Sequence, residues 1–323
     1  MDDMNMQKPE VPIIIIERDE QPQTSKSVTK VIVPSRKQKW LKRVLAMIVF
    51  VCCMTAIFAG YKWWNYYYNI GIPVSVTPEQ NIEKLQKPAK NEVPEVVMTN
   101  DSILGVAMDF YAIHGLKASI EFEEPDTADT SVYLYCRSAD HMADGNYIGS
   151  LVVDGEERQS DTHRLGYMAI LGNNSVIGIS RSEKVKNFVL EHGGSFFRQF
   201  ILVSNGTIPS RFFLHGKVER RAIGRIGDQL YFIATRHKET LWDFADALRE
   251  YGFIDVIYIT GGADCYCYYR NSDGIRFDIG TPALYPHNKW AGIIPWLVFR
   301  KPADEPSCDF FRKYRKDKGT EGN

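Results

Sequence analysis

"QLYFIATRHKETLWDFADALREYGFIDVIYITGG", Gln229 to Gly262, is the stretch on which the fold turns. Leu241, Phe244, Ala245, Leu248 and Tyr251 recur at helical spacing and form one apolar face. Thr240 and Asp243 have the spacing of a capping box, and Gly252 suits a C-terminal stop. The apolar runs on either side, "QLYFIAT" and "DVIYIT", are strand-like. A strand, helix and strand of this length predict a right-handed parallel crossover. In open sheets built this way, ligands collect outside the carboxyl ends of strands. Here that end is Thr260-Gly261-Gly262, which makes the Gly pair a candidate site by position.

The next segment, "ADCYCYYR", raises a second question. If it is a strand, Cys265 and Cys267 point to one face, and Asp264, Tyr266 and Tyr268 to the other. Neighbours two apart on one face are poorly placed to bond each other. Each then pairs with Cys136 or Cys308, or stays a buried thiol.

Upstream, "SVYLYC", "YIGSLVV", "GYMAIL", "SVIGIS", "FILVS" and "RAIGRI" read as short strands, and "SEKVKNFVLEHGG" as a short helix. "NDSILGVAMDFYAIHG" reads as a helix, with Asn100 or Asp101 as cap, Leu104, Met108 and Tyr111 at helical spacing, and Gly115 as its end. These elements predict an α+β domain over 99–302 that contains a mixed sheet.

"VLAMIVFVCCMTAIFAGY", Val44 to Tyr61, carries no charge and as a helix spans about 27 Å, close to a bilayer's hydrocarbon core. Arg36, Lys37, Lys39, Lys42 and Arg43 precede it, and Trp and Tyr side chains flank it. The expectation is a signal anchor over 40–64, with the N-terminus cytoplasmic and the rest outside. Residues 1–39 are a polar cytoplasmic tail whose patches "VPIIIIERD" and "KVIVPS" could pair with a cytoplasmic partner. Residues 65–98 carry four prolines and read as a stalk, with a helical turn near Glu79–Leu85. Residues 303–323 form a charged tail. The chain has 323 residues and a formal net charge of −1, without the concentrated basic surface of a nucleic-acid binder. No His/Cys group has zinc-like spacing, and no cofactor motif is present.

An ordered series of segments resembles the phosphodiester glycosidase family, and within it a membrane-anchored set from Bacteroidetes. They are "SADHMADGNYIGSLVVDGE", "RLGYMAILGNNSVIGIS", "EHGGSFFRQFILVSNG", "GKVERRAIGRIGDQLYFI", "TLWDFADALREYGFIDVIYITGG" and "WLVFR". The resemblance implies a hydrolase acting on a sugar-phosphate diester or an envelope glycan. It carries over Gly193 and Gly194 in "HGGSFF", Arg221 in "RRAIG", and the strand end Thr260, Gly261 and Gly262. The family's Asp is replaced by Thr260. A phosphodiester calls for guanidinium groups and free backbone N–H donors, so Arg221 and Arg198 are the expected phosphate holders. Arg220, next to Arg221 in a strand, points to the other face and is expected to be solvated. With Thr260 in place of Asp, the carboxylates left for acid–base work are Asp264, Asp140 and Glu191. Gly193-Gly194 reads equally as a helix C-cap. The alternative reading is an inactive glycan-binding or envelope assembly module.

Overall fold

A computed structural model describes residues 36–68, 77–88, 92–142, 144–161, 164–209, 212, 214–262, 266–279 and 292–302. The apolar patches of the tail, Asp264, Cys265, Cys308 and the 303–323 tail lie outside them.

Helix α1 (Arg36–Tyr68) includes Trp40–Trp64, a 25-residue span whose most apolar 18 residues have a mean hydropathy of 2.4, long and apolar enough to cross a membrane. All of its described apolar side chains except the half-exposed Val44 are exposed, as such a helix requires.

A second helix, α2 (Pro78–Gln86), precedes a run of strands. These are β1 (Glu95–Ile103), β2 (Val106–His114), β3 (Lys117–Glu121), β4 (Val132–Arg137), β5 (Leu151–Val153), β6 (Glu156–Gln159), β7 (Gly166–Leu171) and β8 (Asn174–Ile179). After α3 (Lys184–Glu191) come β9 (Ser195–Gln199), β10 (Ile201–Val203), β11 (Val218–Ile226) and β12 (Gln229–Glu239). The described order closes with α4 (Leu241–Tyr251), β13 (Asp255–Ile259), β14 (Cys267–Arg270), β15 (Arg276–Ile279) and β16 (Trp296–Arg300). The class is α+β.

Three sheets form, with strand orders β1-β2-β12-β11-β13-β10, β15-β14-β4-β16-β3 and β6-β5-β9-β7-β8. They share one core, where Ile223, Phe232 and Ile257 of the first meet Leu134 and Leu297 of the second and Met168 and Phe197 of the third. Helix α4 covers the opposite face of the first sheet through Leu241, Phe244 and Leu248. Helices α2 and α3 cover the outer face of the third through Leu85, Val185 and Val189.

The α4 unit follows its sequence closely. The Thr240 side chain accepts from the Asp243 N–H at 3.0 Å, and Gly252 ends the helix at φ 108°. Strands β12 and β13 run in the same direction, because each pairs antiparallel with β11. The crossover therefore steps over one strand, and β11 fills the gap between its two strands.

The helix expected at "NDSILGVAMDFYAIHG" is instead the β1–β2 hairpin, a correction with a clear cause. Leu104 (φ 51°) and Gly105 (φ 83°) both adopt positive φ, the signature of a tight primed turn. Val106, Met108 and Phe110 face the α4 layer, while Tyr111 and Ile113 face the central core. A strand buried on both faces loses polar alternation, so a helical period fits it by accident.

The stretch read as a stalk is also partly folded. Thr77 and Gln80 form a reciprocal capping box at the start of α2. Leu85 is buried, and Asn81 Nδ2 donates to Tyr167 Oη at 2.6 Å on β7. Strand β1 begins at Glu95, so the folded unit takes in part of 65–98. Asn81→Ala would strand a buried tyrosine hydroxyl and is expected to cost about 1–3 kcal/mol, read by urea unfolding. Limited proteolysis should then cut sooner before Val93.

Candidate active site

The β13 strand end comes to rest against the end of β4. Thr260 Oγ1 donates to Asp140 Oδ1 at 2.8 Å, and the Thr260 N–H lies 3.4 Å from the Ser138 carbonyl. A tight loop holds Asp140, since the Ile148 N–H donates to its carbonyl and His141 bridges to Tyr147. The second carboxylate oxygen lies 3.9 Å from Arg164 Nη2. Arg164 stacks on Phe200, its guanidinium carbon 3.4 Å from the ring centroid. Burial pulls its pKa below the ordinary value, against the nearby charges of Asp140 and Asp161. Its side chain keeps 13% exposure and that of Asp140 22%, so both reach solvent. Tyr258 lies behind them. Burial and then the Asp140 charge push its phenol up, with Arg220 opposing.

Of the residues singled out from sequence, this cluster joins Asp140, Thr260, Gly261, Gly262 and Arg221. The role of each differs from expectation in three respects. First, the Gly pair does not present free donors. The Gly261 N–H points to Tyr258 Oη at 3.2 Å, and the Gly262 N–H donates to the Glu219 carbonyl at 2.9 Å. Second, Arg221 is 3% exposed and lies on the core side, where Nη1 donates to the Gly262 carbonyl at 2.8 Å. It props the loop from beneath. Third, Arg220 is buried and not solvated. A β-bulge between Glu219 and Arg221 frees its N–H for Thr235 Oγ1, and its guanidinium donates to the Glu239 and Gly216 carbonyls.

Arg198, expected to hold phosphate, is 0% exposed, and its two terminal nitrogens are engaged within the fold. It donates to the carbonyls of Arg164, Ser180 and Ser182 and to Glu183 at 2.6 Å. This is a correction: Arg198 supports the Arg164 backbone, because β9 is an interior strand whose side chains are all buried. Gly193-Gly194 is a helix terminus. Gly193 takes φ 69°, and the Gly194 N–H donates to the Val189 carbonyl at 2.7 Å, closing a Schellman motif on α3. Glu191 stands exposed in the last turn of that helix, which packs on β7 and β9, and no described contact ties it to Thr260.

No family model and no curated protein sequence matches this chain. Among the solved structures similar to it are two. One is the catalytic domain of zebrafish N-acetylglucosamine-1-phosphodiester alpha-N-acetylglucosaminidase, auto-inhibited by its pro-peptide. Its TM-score is 0.46 at 11% identity over 67% of this chain and 86% of that one. The other is a hypothetical protein from Synechocystis, with a TM-score of 0.41 at 8% identity over 66% and 64% of the two chains. Likenesses this distant assign no residue and no activity here.

Sequence reading missed Arg164, Phe200, Tyr258 and Asp161. Arg164 opens the segment "RLGYMAIL", but nothing local marks it. Its partners Asp140 and Phe200 lie 24 and 36 positions away.

Proposed function

We propose that this chain is a membrane-anchored hydrolase of sugar-phosphate diesters, with its folded domain outside the cytoplasm. The orientation rests on the basic residues at the start of α1, ahead of its apolar run, and the substrate class on the family resemblance of the ordered segments. The observation that carries the chemistry is a solvent-reaching carboxylate, Asp140, fixed by Thr260 beside the guanidinium of Arg164.

In this reading Arg164 holds the phosphate, since it is the guanidinium of the cluster that keeps exposed surface. Thr260 occupies one lone pair of Asp140 and leaves the other oxygen to activate water or to stabilise oxocarbenium charge. A phosphate leaving group needs little protonation, so one carboxylate is enough. Arg221 supports the Gly262 loop, and Asp264, outside the described residues, remains a proposed second carboxylate two positions beyond it.

The test is release of free sugar from synthetic sugar-1-phosphodiesters by the full chain in detergent. Arg164→Ala is expected to raise KM about tenfold or more, the loss of one charge-assisted contact. An inactive wild type that still binds glycan would replace the hydrolase with a glycan-binding module.

A further inference from the structure

The central core holds two cysteines on facing strands. Strands β14 and β4 pair antiparallel, with Tyr268 opposite Tyr135 and Tyr269 opposite Leu134. Continuing that register by one residue sets Cys267 opposite Cys136. The faces agree with this. Cys136, Cys267, Leu134 and Tyr269 all line the central core, while Tyr135 and Tyr268 point to the other side of the sheet. Both cysteines are 0% exposed. Directly opposed antiparallel residues have Cα atoms about 4.5–5.5 Å apart, within the range that a disulfide spans. The two sulfurs also sense each other, because the pKa of Cys136 is raised first by burial and then by Cys267, with Arg221 opposing.

We propose that Cys136 and Cys267 are a redox pair that closes a cross-strand disulfide between β4 and β14. One thiolate attacks the sulfur of a disulfide oxidant and expels one thiol. The second cysteine then displaces the other half of the oxidant. Two cysteine protons and two electrons leave, and the oxidant departs as two thiols. Because both sulfurs are buried, the exchange takes place during folding or when the short β14 lifts locally.

The position gives the bond a consequence. Asp140 lies four residues after Cys136, and the Gly261-Gly262 loop ends five residues before Cys267. A bond here ties β4, which leads into Asp140, to β14, the next described strand after the Thr260–Gly262 strand end. Its formation does not depend on the hydrolase reading.

The experiment oxidises the full chain in detergent with oxidised glutathione and blocks remaining thiols with N-ethylmaleimide under denaturing conditions. It then maps the unreduced peptides by mass spectrometry. The expected product joins the Cys136 and Cys267 peptides, also in a Cys265→Ser/Cys308→Ser variant. The oxidised protein should melt about 5–10 °C above the dithiothreitol-treated protein, and Cys136→Ala should abolish that difference. Maleimide adducts on both Cys136 and Cys267 after oxidation would overturn the proposal. So would a bond from Cys267 to Cys265 or Cys308. Peptide mapping of the wild type decides the matter even if the alanine variant does not fold.

Discussion

Asp140→Asn is expected to lower kcat/KM for a sugar phosphodiester by about 10²–10⁴-fold, the usual worth of a positioned acid–base group. The amide keeps the shape of the carboxylate and can still accept the Thr260 hydroxyl bond, now at 2.8 Å. What it loses is the charge and the basic oxygen. The side chain is partly exposed, so folding should be nearly unchanged, and the melting temperature serves as the control. Thr260→Val separates orientation from chemistry. It removes the donor and leaves the carboxylate, so a loss of about tenfold is expected, the worth of one hydrogen bond to a charged group. Wild-type turnover in Asp140→Asn would remove this carboxylate from the mechanism.

Glu183→Ala is expected to destabilise the fold by about 3 kcal/mol, the lower end of what breaking a buried ion pair costs. Glu183 joins two buried cations, Arg198 at 2.6 Å and Lys186 at 2.7 Å. Lys186 keeps a second partner, Glu157, so Arg198 is the charge left without a carboxylate. Partial exposure of Glu183 lets water in and keeps the cost at that lower end. Urea unfolding should show a lower midpoint at unchanged slope.

The same network predicts a pH effect with a definite sign. Burial pushes the Glu183 carboxyl up, but the Lys186 hydrogen bond and the Arg198 charge outweigh it, leaving the pKa below the ordinary 4.5. A depressed carboxyl contributes stability that is fully present above its unfolded value and is lost as pH falls through its folded value. The wild type should therefore weaken below about pH 4.5, and Glu183→Ala should show a flatter profile across that window. Arg198 donates to the Arg164 carbonyl, so some loss of activity in this variant would follow from the fold.

What the sequence by itself determined is local. The apolar span of α1 needs only composition, and α4 needs only its period, its Thr240 cap and its Gly252 stop. The strand end at Thr260-Gly261-Gly262 follows from that unit, whereas Asp140 entered only as one of three candidate carboxylates, beside Asp264 and Glu191. Tertiary structure decided the rest, because those roles depend on partners far along the chain. Thr260 and Asp140 meet across 120 positions, and no spacing rule reports such a contact. Arg198 looks like an exposed anion ligand until β5 and β7 close over both sides of its strand. Arg220 and Arg221 alternate as neighbours in a strand should, yet both faces of that sheet are covered, so neither is solvated. Strand β2 was hidden for the same reason: burial on both faces removes the polar alternation by which a strand announces itself.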